Sequence, residues 1–168
     1  MVINEKYKKS QFQIGFGMIF SIILIVMFLV VAFIAIKAFL GTKCSVEQGI
    51  FIKDLQDEID LIWKGAGASE IFKGEIFECE ISHVCFFNLN GNYEENNPKV
   101  KDFKIFTGEN ENHNLYFYPR SKAKLGSALI KHVNMTELSE NPKCYQMQNN
   151  EFQIKLEKNL NEGLVRIS

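Results

Sequence analysis

Nineteen consecutive residues, Met18–Ile36, carry no charge and one polar side chain, Ser21. Extending the run to Gly15 and Leu40 adds only Lys37 as a charged residue. At about 1.5 Å per helical residue, a segment of this length crosses the roughly 30 Å hydrocarbon layer of a bilayer. The run is apolar on every helical face, unlike a surface helix of a soluble protein. It therefore predicts a transmembrane helix over 14–40, preceded by a short basic leader, 1–13.

A second pattern follows Gly41. Ile52, Leu55, Ile59 and Ile62 recur at helical spacings, and Lys53, Asp54, Asp57, Glu58 and Asp60 fill the opposite face. This predicts an amphipathic helix over 46–64. Ser45 is its expected N-cap, Trp63 extends its stripe, and Gly65 with Gly67 ends it. The polar face is acidic rather than basic, so the stripe is expected to pack on protein and not to lie flat on lipid.

Beyond Ala68 the texture changes to short runs. "EIFKGEIFECEI" alternates in its second half, and "HVCFF" is continuously apolar, as in a buried strand. "FKIF", "NLYFYP", "SALIKHV", "EFQIKL" and "GLVRIS" follow, divided by polar turn-rich segments such as "NGNYEENNPKVK" and "TGENENHN". Six or seven short strands so punctuated predict an antiparallel sheet over 70–168. The expected class is α+β: a membrane helix, then an amphipathic helix packed on a β-rich head within 41–168.

The head is one ordinary domain in size, with 15 Phe, 5 Tyr and 1 Trp in the whole chain to fill a core. Net charge is −1, but it is uneven. The leader is basic through Lys6, Lys8 and Lys9, and the head is acidic, which excludes the basic footprint of a nucleic-acid binder. Lysines crowd the N-terminal end of the span, with Lys37 and Lys43 at the other. The positive-inside bias thus puts the N-terminus in the cytoplasm and the head outside. A cleaved secretory signal is excluded, because its apolar run is about 7–15 residues with a small-residue cut site.

Cys44, Cys79, Cys85 and Cys144 all follow the span. An extracytoplasmic head would let them form disulfides. Cys79 and Cys85 are close enough in sequence for a hairpin bridge. The alternative, Cys44 with Cys79 and Cys85 with Cys144, closes longer loops and is favoured by chain entropy. No C-x-x-C pair is present, so no metal site is assigned.

His83, His113 and His132 stand without the spacing that zinc chemistry needs. Asp54, Asp57, Glu58 and Asp60 read as a solvated helix face, and Glu78 and Glu80 flank Cys79. "NLNGNYEENN" offers oxygen ligands without the Asp or the spacing of a calcium loop. There is no nucleophile elbow, P-loop or dinucleotide fingerprint, so neither catalytic residues nor a cofactor are assigned. Asn134-Met135-Thr136 is a glycosylation sequon. Gly17 and Ser21 form a small-xxx-small pair that would let a second helix approach within the membrane.

"KKSQ" before the apolar run resembles the class III signal segment of archaeal type IV pilin-like proteins. That resemblance implies cleavage between Ser10 and Gln11, with the apolar helix retained. Two positions depart from the family: Ser10, where Gly or Ala is usual, and Gly15, where assembling pilins carry Glu. The segments "FGMIFSIILIVMFLVVAFIAIKAFL", "LQDEIDLIWK", "HVCFF", "NLYFYP" and "NPKC" are similar to uncharacterised single-pass membrane proteins of small-genome archaea, of the nanoarchaeal and woesearchaeal kind. No activity comes with that resemblance. The expectation is a non-enzymatic, membrane-anchored surface protein with a disulfide-stapled head. The alternatives are a pilin-like filament subunit and an accessory subunit of a membrane complex. Expected partners are membrane lipid and a protein bound through the span or the head.

Overall fold

A computed structural model of the chain describes residues 15–77, 79–107 and 112–168. The basic leader, the Ser10–Gln11 cleavage site and Glu78 lie outside the described residues. The fold is α+β, a long apolar helix followed by antiparallel sheets. By contacts the chain divides into two units after Gly41.

The first unit is the apolar part of helix α1, which runs from Phe16 to Lys64. Its most apolar window has a mean hydropathy of 3.3, and none of that window is buried within the protein. Such a surface is stable only where the surroundings are apolar too.

The second unit begins at Thr42, still within α1. Ser45 is inside the helix and is not an N-cap. Residues 46–64 are the C-terminal part of α1 and not a separate element. The helix ends where expected, with the Gly65 N–H donating to the Ile62 carbonyl and Gly67 at φ +155°. The buried residues of this stretch are Gln48, Phe51, Leu55, Ile59 and Ile62, so Phe51 and not Ile52 begins the inward stripe.

Two sheets form where one was expected. The first has the order β1-β6-β7, with β1 Ala68–Glu75, β6 Glu151–Lys158 and β7 Arg166–Ile167. It buries one face: Phe152, Ile154 and Leu156 of β6 point inward and their neighbours outward, the period-two pattern of a half-buried strand. The second has the order β4-β3-β2-β5, with β2 His83–Phe86, β3 Leu115–Tyr118, β4 Ser127–Ala128 and β5 Lys143–Gln146.

The second sheet is covered on both faces. Val84, Phe86, Leu115 and Phe117 join the core around α1. Cys85, Phe87 and Tyr116 pack with Val100 and Phe103 of a second helix, α2, Pro98–Thr107. Burial on both sides explains why "HVCFF" and "LYFY" are apolar without alternation. It also corrects the strand expected at "FKIF", which lies within α2. Asn97 caps that helix, its Oδ1 accepting from the Lys99 N–H at 2.9 Å, and Pro98 takes the first helical position, where its missing N–H costs nothing. "SALIKHV" contributes only the two residues of β4 and a parallel bridge from Val133 to Val165. β5 and β6 are linked through Asn149 and Asn150, at φ +52° and +67°, a two-residue turn with both centres left-handed.

Candidate functional site

Within the apolar helix the Ser21 hydroxyl donates to the Gly17 carbonyl at 2.8 Å. This satisfies the one polar side chain of the run inside its own helix. Gly17 and Ser21 are both exposed, and nothing comes near the position a Cβ would take at Gly17. The small pair is therefore free of steric cover, and its hydroxyl is already engaged. Lys37 Nζ lies 5.1 Å from the centre of the Phe33 ring.

The cysteines pair as Cys44–Cys79 and Cys85–Cys144, the arrangement that chain entropy favours. Cys44–Cys79 ties α1 to the segment after β1. Cys85 and Cys144 are register partners on β2 and β5, so their bridge crosses adjacent strands. Gln48, one turn after Cys44 and fully buried, accepts at Oε1 from the backbone N–H groups of Lys124 and Leu125, at 3.0 and 2.9 Å. It fastens that loop to the helix, and the sequence gives no signal for it, because an isolated Gln in an amphipathic helix reads as surface.

The densest polar cluster lies further along α1. Asp60 Oδ1 accepts from His132 Nδ1 at 2.8 Å and from Gln56 Nε2 at 2.7 Å. An ionised carboxylate can only accept, so Nδ1 carries the proton. Gln56 Oε1 also accepts from the Lys131 N–H at 2.7 Å. The Trp63 ring stacks on His132 with centroids 3.7 Å apart, and its Nε1–H donates to the Gly163 carbonyl at 2.9 Å. His132 sits at φ +64°, a left-handed conformation that His adopts more readily than most residues. The Asp–His pair has the form of a base and its orienting group. Among the described residues, however, no hydroxyl or thiol is hydrogen-bonded to His132, and the indole covers one face of its ring. Asp60, Gln56 and Trp63 together latch the loop around His132 onto α1.

The bond from His132 holds the Asp60 carboxyl below its ordinary value of 3.8, Gln56 adds to this, and burial opposes it. A depressed folded pKa means that the stabilisation is present above the unfolded pKa and is lost as pH falls through the folded one. Replacing His132 with Ala is expected to move the Asp60 titration up towards 3.8 and to flatten the acid side of the stability profile below that pH. Carboxyl NMR titration and urea midpoints at neutral and acid pH measure both. An Asp60 titration that does not move would refute the latch.

The other histidines also have partners that sequence spacing does not reveal. His83 Nδ1 contacts the Ser82 hydroxyl at 2.9 Å, and His113 Nδ1 contacts that of Ser127 at 2.8 Å. Burial lowers the pKa of both, with Lys99 adding to the effect at His83. The Tyr116 hydroxyl donates to the His113 carbonyl at 3.0 Å, and burial pushes it up to about 12. Asn134 is half-buried, and its Oδ1 accepts from the Thr136 N–H and hydroxyl at 3.1 and 2.7 Å, so the sequon forms a closed local turn. Lys122 pairs with Glu80. An open groove of about 420 Å³ beside Tyr145, Gln148 and Asn149 is lined mainly by amide side chains. Among the described residues no group of three or more His, Cys, Asp or Glu is placed to hold a metal ion. Comparison of the chain with protein-family models, with curated proteins and with solved structures returned no match.

Proposed function

We propose that the protein is a single-pass membrane-anchored surface protein. Its N-terminus is cytoplasmic and its disulfide-stapled β-rich unit is displayed outside, in a structural or interaction role and without enzymatic activity. The observation that carries this is the distribution of the cysteines. All four follow the apolar helix, and all four are paired. Disulfides persist in oxidising compartments, so the unit that holds them belongs on the oxidising side of the membrane. The basic leader agrees with that orientation.

Proteinase K added to intact cells expressing a C-terminally tagged chain is expected to remove the tag without permeabilisation. Thiol alkylation should label the chain only after reduction. A tag protected until the cells are opened would overturn the topology.

A second reading, a pilin-like filament subunit, is favoured by the apolar start of α1, Phe16–Lys64, following "KKSQ". Mass spectrometry of the mature N-terminus separates the two, since a processed subunit starts at Gln11. Gly15, where an assembling pilin carries Glu, favours the anchor.

A further inference from the structure

The three-stranded sheet has an open edge at β1. In an antiparallel ladder alternate residues turn their N–H and C=O away from the partner strand. Among the described residues, no backbone group on the outer side of Ala68–Glu75 is hydrogen-bonded. The strand has eight residues in unbroken register with β6, no proline and no bulge. Of the devices that usually blunt an exposed edge it has only charged side chains, Glu70, Lys73 and Glu75.

Beside this edge runs α1. Asp54, Asp57, Glu58 and Leu61 of the helix, with Glu70–Lys73 of the strand, line an open groove of about 500 Å³. Four strand residues cover about 13 Å, and the helix from Asp54 to Leu61 covers about 11 Å, so the groove is matched to a short extended peptide. Leu61 and Ile71 are exposed by 65% and 63% at its rim. Its acidic side chains are Asp54, Asp57, Glu58 and Glu70, against Lys73, with Lys53 paired to Asp57 at 2.5 Å. Glu58 and Glu70 face each other. The hydrogen bond between their carboxyls, then burial, holds Glu58 above the usual carboxylate range. Its Oε1 is buried without a hydrogen-bond partner.

We propose that this groove takes an extended, cation-bearing segment of a partner protein. The segment adds as a fourth strand beside β1, its Lys or Arg side chains against Asp54, Glu58 and Glu70 and an apolar side chain against Leu61. Main-chain hydrogen bonds to the free edge supply affinity, and alternate side chains supply selectivity, as in other strand-addition complexes. A second copy of this chain does not fit the role, because two β1 edges would bring the same carboxylates together. The proposal rests on the interaction role inferred above, but not on which side of the membrane the head lies.

The test pans the full chain, in zwitterionic nanodiscs, against a random-peptide library and measures the enriched peptides by fluorescence anisotropy. Enriched sequences are expected to carry Lys or Arg at alternate positions and to lose binding when alternate backbone amides are N-methylated. The D54K/E70K variant is expected to bind them about tenfold more weakly or worse, with an unchanged near-UV circular dichroism spectrum. If that variant loses its native spectrum, D54N/D57N is measured in its place. No enrichment, enrichment of sequences without cations, or binding that survives both the substitutions and N-methylation overturns the proposal. So does self-association through β1 in place of peptide binding. A head found inside the cell by proteolysis, with the peptides still selected, would refute the topology and leave the groove standing.

Discussion

Replacing Cys85 and Cys144 together by alanine is expected to lower the stability of the head by about 2–5 kcal/mol. The two residues are 59 apart in sequence. The loop-closure model gives about 4 kcal/mol for a loop of that size, because the cross-link removes open conformations from the unfolded chain. A packing term adds to it. Cys85 is fully buried between Phe87, Tyr116 and α2, and its truncation leaves a gap in a core with few other contacts. The measurement is a urea midpoint in detergent micelles, with the Cys44/Cys79 double variant for comparison. A loss below about 1 kcal/mol would show that the β2–β5 ladder holds without its bridge.

Phe51 is the second sensitive point. It is 2% exposed and meets Phe72 and Phe152 of the first sheet at 5.7 and 5.3 Å and Phe117 of the second at 5.8 Å, each edge to face. Phe51→Ala is expected to cost about 3–5 kcal/mol, since no single neighbour can move to fill the space between two sheets. Gly74 of β1 is the counterpart. A Cβ there would lie 2.5 Å from Cε2 of Phe51, so Gly74→Ala forces the ring aside at about 1–3 kcal/mol. The two changes are coupled. In the Phe51→Ala background the alanine at position 74 enters the vacated space, and the double variant should be more stable than the sum of the single losses predicts. Additive losses would mean that ring and strand do not touch in solution.

The large elements were legible in the sequence because local pattern decides them. The apolar run, the Leu55–Ile62 stripe and the alternation in β6 each follow from burial on a known period. The misreadings occur where contacts between distant residues decide. "FKIF" has the composition of a strand, but Val100 and Phe103 sit three apart on α2 against Tyr116 and Phe87, and the helix starts at the cap Asn97 and Pro98. β5, "KCYQ", has no β pattern of its own and is a strand because it pairs with β2. Ser45 reads as a cap only if the helix stops at Gly41, and it does not. The polar cluster was not legible at all. Asp60 and His132 are 72 residues apart, and no spacing rule connects a helix-face carboxylate to a histidine in a loop.

The order of the strands has a consequence for how the protein is made. β1 emerges early in synthesis, but its partner strand among the described residues is β6, Glu151–Lys158, more than 70 residues later. Likewise Cys85 has to wait for Cys144. The inward stripe of α1 and the apolar face of β1 are therefore bare until β6 has been made. The first sheet cannot mature piece by piece, and the nascent chain must be shielded from aggregation until β6 and β7 arrive. A ribosome stalled before β6 would leave an intermediate whose apolar surface has nothing to pack against.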